Sequence, residues 1–237
     1  MDSKSKTLLA EFTRGGQLIR ENAEQLYREA CILGKHAAPC RALCLHQLSN
    51  EECGKLELLG SYAVVVACGM KVSRQEMRKT MERAFRSHEA KNHANAYFAA
   101  VVGEERAARD RKDWHAASKA FAKVKRSLHS VLNTAKNGSL YVNFEGGKFS
   151  APSDQITEEL VAYMKALNEY LLSVTAGHVR LLHRLEKNEW GFQGAAKEFV
   201  KRMVHLQTEM PPDLETGLRT AYQEMVETVK AKARGGL

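Results

Sequence analysis

Apolar residues recur at every third or fourth position over most of the chain. From residue 7 to 33, Leu8, Phe12, Ile19, Ala23, Leu26, Tyr27 and Ala30, joined by Leu18, predict a helix with one buried stripe, and Gly34 supplies its stop. Ala117, Phe121, Val124, Leu128 and Leu132 predict a second over 114–132, and Ile156, Leu160, Met164, Leu167 and Leu171 a third from Ser153, read as its cap, to Glu186. A helix from about Pro39 to Leu48 precedes one from Glu51 to about Met70. The Ser49-x-x-Glu52 capping box marks a start there, unless the two pieces run together as one long bent helix. Residues 74–105 read as helical with a break near Ser87, and two further helices are expected at 192–207 and 213–233.

The pattern changes between Lys136 and Ser153. Asn-Gly, Gly-Gly and Pro152 surround Leu140-Tyr-Val-Asn-Phe144, which predicts an extended loop or short β-hairpin near residues 139–150. With four prolines in 237 residues and no repeat or long linker, the expectation is an all-α, multi-helix bundle. A single domain over 1–237 is expected, with a core at about 7–187 and C-terminal helices at about 190–233.

Composition narrows the setting. Five cysteines, all between Cys31 and Cys68, are an odd number without paired spacing, which points to reduced thiols and a cytoplasmic location. No run approaches the roughly 18 apolar residues of a membrane span. A net charge of +8 favours an anionic partner without naming it. His36, Cys40 and Cys44 share a helical face but lack a fourth ligand at finger spacing, so packed thiols are the reading and no metal or cofactor is expected. P-loop, Gly-x-Ser-x-Gly and Glu-x-x-His patterns are absent.

Polar residues inside apolar helical sequence mark the candidate chemistry. Glu51 and Glu52 stand four and three positions before Lys55, so both carboxylates reach one ammonium; Gly54 beside them suits a close approach by another helix or a ligand. His88, Lys91, Asn92 and Asn95 fall at i, i+3, i+4 and i+7 on one stripe, which is either solvated or equipped to bind phosphate and move protons. Arg83 and His88 form Arg-x4-His, which in an unbroken helix would lie about 140° apart. A break near Ser87, or a second subunit, is needed to bring them together. The tract from Arg106 to Arg126 is basic, either a solvated face or a phosphate-tracking surface.

Three blocks, Ser49-x-Glu51-Glu52-x-Gly54-Lys55, His88-x-x-Lys91, and Ser139-Leu-Tyr-Val-Asn143 ahead of Pro152, resemble in their order the AbiV family of bacterial abortive-infection proteins. Asn143 stands where the family pattern leads one to expect aspartate. AbiV proteins are similar to the HEPN superfamily, whose helical bundles dimerise and in many members cut RNA without metal through Arg-x4-6-His. The resemblance implies His88 as general acid or base and Arg83 on the phosphate, both oriented by Glu52 and Lys55. Ser49, Glu51, Lys91, Asn92 and Asn95 would serve binding. It further implies a homodimer, RNA as target and a phage-encoded activator, with non-catalytic arrest of translation as the alternative.

Overall fold

A computed structural model of the protein describes residues 2–68, 73–99 and 101–187, together with Lys201. Among these, eight helices and one two-stranded hairpin follow one another: α1 (Ser3–Lys35), α2 (Pro39–Ala67), α3 (Arg74–Arg86), α4 (His88–Ala96), α5 (Gly103–Asp110), α6 (Trp114–Leu140), β1 (Asn143–Glu145), β2 (Lys148–Ser150), α7 (Pro152–Gln155) and α8 (Glu158–Glu186). The chain is all-α apart from the hairpin, as its periodicity predicts. The helices expected at 192–207 and 213–233 lie outside the described residues.

The long helices α1, α2 and α8 form the framework. Their interface is closed by Leu9, Phe12, Leu59, Ala63, Leu182 and Leu185 at one end, where Met77 of α3 joins them. Gly16 of α1 lies where a side chain would collide with Leu182, so its lack of a Cβ sets the close packing of α1 on α8. Leu18, placed by periodicity on the buried stripe, is exposed, because the inward face follows Leu9, Phe12, Gly16 and Ala23. A second apolar group, Leu43, Leu132, Ala135 and Met164, joins α2, α6 and α8.

Several boundaries differ from the sequence reading for identifiable reasons. α2 is continuous through Ser49, so the capping-box pattern does not start a helix; Pro39 begins it and Ser49 lies in its buried interior. α6 runs on to Leu140 because Asn137-Gly138 remains helical, with Gly138 packed against the Gln155 side chain. α8 starts at Glu158, where Thr157 Oγ1 accepts from Leu160 N at 3.3 Å. Ser153 instead lies in the short α7, closed by Asp154 Oδ2 accepting from Ala151 N at 2.7 Å. α4 ends at Ala96 rather than continuing to 105.

The break near Ser87 is present. Ser87 has ψ of 117°, outside the helical region, and its hydroxyl oxygen accepts from Ala90 N at 3.1 Å, so it ends α3 and caps α4.

Candidate functional site

The site begins where α4 crosses α2. A Cβ on Gly54 would overlap the backbone carbonyl oxygen of Lys91, so only glycine lets the two helix backbones meet there. That approach turns the polar stripe of α4 onto α2. Lys91, Asn92 and Asn95 are consequently buried, and the stripe is an interior contact rather than a solvated face.

Glu51 is the centre of the contact. Its side chain is 3% exposed. One carboxylate oxygen, Oε2, accepts from Lys91 Nζ at 2.9 Å and from His88 Nδ1 at 2.5 Å. The other, Oε1, accepts from Lys136 Nζ of α6 at 2.9 Å. Burial by itself would raise the pKa of this carboxyl, but the hydrogen bonds from Lys136, Lys91 and His88 outweigh it and hold the group below the usual carboxylate range. Two buried ammonium groups against one carboxylate leave the cluster with a surplus positive charge directly behind His88.

The His88 side chain is half exposed, in contrast to everything behind it. An ionised carboxylate only accepts hydrogen bonds, so Nδ1 carries the proton and Nε2 is left as the basic nitrogen. Outer hydrogen bonds fix the helix that carries it. Gln47 Nε2 donates to Asn92 Oδ1 at 3.0 Å, Asn92 Nδ2 meets His129 Nδ1 at 3.3 Å, and Asn95 Nδ2 donates to the Asn50 carbonyl at 2.7 Å. Ser49 belongs to a neighbouring network: its hydroxyl donates to the Ala23 carbonyl at 2.7 Å and accepts from Asn168 Nδ2 at 2.8 Å, tying α2 to α1 and α8.

The first polar block therefore splits. Glu52 and Lys55 pair with each other at 2.6 Å on the outer side of α2, with the ammonium 5.9 Å from the centre of the Phe85 ring. Glu51 does not share Lys55, and it is Glu51 rather than Glu52 whose carboxylate meets the imidazole. One helical step separates these neighbours by about 100°, which sends one inward and the other outward. Arg83 is exposed near the end of α3, and no hydrogen bond joins it to His88. Lys136, Gln47, His129 and Asn168 were not legible as site residues, because their partners stand 37 to 122 positions away in sequence.

The basic tract does not act as one surface. Lys125 is buried with its ammonium 5.5 Å from the Phe121 ring centre, Arg109 pairs with Glu105 at 3.0 Å and Lys123 with Glu104 at 2.9 Å. Arg106, Arg111, Lys112, Lys119 and Arg126 stay exposed.

A family model described as AbiV, of HEPN type, matches residues 11–173, which takes in all three motif blocks and the cluster around Glu51. The chain belongs to the AbiV family. Among curated proteins, this AbiV-family chain is 36% identical over 110 residues to an uncharacterized protein, y4gJ, of Sinorhizobium fredii; the match covers 46% of the chain and 57% of that relative. No solved structure matches it. Within the described residues no helix is long and apolar enough to cross a membrane.

Proposed function

We propose that this AbiV protein is an antiphage abortive-infection protein whose toxic step is metal-independent cleavage of RNA by a homodimer. The observation that carries the reading is the half-exposed His88 imidazole held at 2.5 Å by a buried, ionised Glu51. Nε2 of His88 removes the proton of a ribose 2′-hydroxyl, whose oxygen then attacks the adjacent phosphorus. The bond to the 5′-oxygen breaks, and that oxygen takes up a proton from water, leaving a 2′,3′-cyclic phosphate. Glu51 fixes the tautomer and stabilises the imidazolium that forms, while Lys91 and Lys136 keep Glu51 ionised. Arg83, exposed beyond the Ser87 break, serves the phosphate oxygens as charge develops. Glu51 thereby takes the orienting role that sequence reading gave Glu52.

A second reading has its own support. Both buried lysines are engaged by Glu51, so phosphate contacts fall to exposed arginines and lysines of α3, α5 and α6, an arrangement that also suits a non-catalytic block of translation after a phage protein is met. Incubating the purified chain with total RNA in EDTA separates the two. Cleavage that is lost in His88→Ala and Glu51→Gln supports the enzyme; RNA that stays intact while binding to wild type and His88→Ala equally supports the blocking protein.

A further inference from the structure

A second histidine reaches the seam between α4 and α6, and a chain of buried amides orients its ring. Asn50 Nδ2 donates to Gln47 Oε1 at 3.5 Å, Gln47 Nε2 to Asn92 Oδ1 at 3.0 Å, and Asn92 Nδ2 to His129 Nδ1 at 3.3 Å. All three amides are 0% exposed, while His129 is only part-buried. The donors of this chain all point the same way. Because the Asn92 oxygen is taken by Gln47, its nitrogen faces the imidazole, and an amide nitrogen only donates. Nδ1 of His129 is therefore the accepting nitrogen, and in the neutral ring the proton sits on Nε2. The His93 ring, edge-on with its centre 5.9 Å from that of His129, packs beside it.

That tautomer is the reverse of the one Glu51 imposes on His88, whose Nδ1 carries the proton and whose Nε2 is basic. The two rings follow one another along the seam. His88 and Asn92 lie one turn apart on α4, roughly 6 Å of helix rise. Lys136 and His129 lie two turns apart on one side of α6, the first meeting Glu51 and the second Asn92. The spacing is on the order of a phosphate group with a hydrogen bond of about 3 Å on either side. Arg126, one turn before His129, is exposed and continues the line with a positive charge. The exposed carboxylate of Glu89 is turned toward His93, 3.8 Å away.

We propose that His129 is a further residue of the RNA site, donating from Nε2–H to a non-bridging oxygen of the phosphodiester attacked when His88 removes the 2′-hydroxyl proton. This rests on the cleavage reading and adds to it a donor for the charge that develops on that oxygen. With Nδ1 engaged by Asn92 and Nε2 protonated, the ring has no lone pair to offer as a base, so donation is the role left to it. No proton changes hands at His129; the hydrogen bond strengthens as the oxygen gains charge, and the 2′- and 5′-oxygens exchange their protons with His88 and water.

Cleavage in EDTA of a short RNA that carries sulfur in place of one or the other non-bridging oxygen of a single phosphate is the test, with wild type, His129→Ala and His129→Gln. Wild type should be slowed by sulfur at one of the two positions and much less at the other. His129→Ala should slow cleavage of the all-oxygen RNA about a hundredfold, the usual result of deleting one such donor, and erase the difference between the sulfur isomers. His129→Gln, whose amide donates from a similar place, should keep a greater part of both. An equal loss on every RNA with the isomer difference intact would reduce His129 to packing, and full activity in His129→Ala would dismiss it; either overturns the inference and leaves the His88 reading standing. If wild type cleaves nothing, that reading falls, and a deoxydinucleotide, which lacks the 2′-hydroxyl, decides the inference. It should move the ring nitrogen signals of His129 and bind about tenfold more weakly to His129→Ala; no effect on either overturns the proposal. Nitrogen NMR of the wild-type protein needs no variant: it should place the neutral-ring proton of His129 on Nε2 and that of His88 on Nδ1, and a His129 proton on Nδ1 refutes the assignment whatever the cleavage result.

Discussion

The two halves of α2 lie in one continuous helix and are buried to a similar depth, yet they are held by different forces. The second half presents Leu59, Ala63, Val66 and Ala67 to α1, α3 and α8, and its packing is non-directional apolar contact. The first half buries Gln47, Ser49 and Glu51, whose side chains hydrogen-bond to α4, α1 and α6, and Asn50, whose amide nitrogen donates to Gln47 of the same helix; an unpartnered buried polar group costs several kcal/mol. Packing alone would be served by the second kind throughout. The polar half holds a particular helix in a particular register, and the group it positions is His88.

The sharpest break in that comparison is Glu51→Gln. It leaves Lys91 and Lys136 buried with a neutral amide, and chemical denaturation should show a loss of about 3–5 kcal/mol. An unchanged midpoint would mean that the lysines find other partners. A pH titration of stability separates the halves. His178, packed beside Gly60 in the apolar half, has its pKa pushed down to about 4 by burial. Because the folded pKa is depressed, its contribution is fully present above the ordinary 6.5 and is lost as pH falls toward about 4, up to about 3 kcal/mol. His178→Phe should remove most of that slope; buried His46, also lowered by desolvation, accounts for a remainder. Glu51, held below its ordinary 4.5, keeps its contribution until pH falls under that value, so the Glu51 cluster should lose stability at lower pH than the buried histidines do. Gly54→Ala should cost about 2 kcal/mol by forcing α4 off α2, and under the proposed nuclease reading any RNA cleavage should fall by more than the stability change suggests. Glu52→Gln should cost about 1–2 kcal/mol, less than Glu51→Gln, since the pair is only part-buried and a single ammonium loses its carboxylate. A loss as large as that of Glu51→Gln would reverse the assignment of the two carboxylates.

How much of this was legible in the sequence differs by element. α1, α6 and α8 follow from a spacing of three and four because a helix buries one side, and that spacing is local. The Ser87 break and the hairpin also follow from local chemistry, a capping serine and a Gly-Gly turn. The capping-box reading at Ser49 failed for a reason equally physical. The same hydroxyl that caps an exposed helix end can bond a neighbouring helix when buried, and Ala23 lies next to it only in the folded chain. Lys136 was hidden because Asn137-Gly138 reads as a turn, while packing against Gln155 keeps α6 helical past it.

The sequence by itself determined the long helices α1, α6 and α8, the hairpin, the family and part of the polar set from which a site could be drawn. Only tertiary structure decided which of two adjacent glutamates faces His88, and that Lys91 and Lys136 are buried around it. Adjacent residues differ by about 100° around a helix, and which direction is inward depends on where another helix comes to rest.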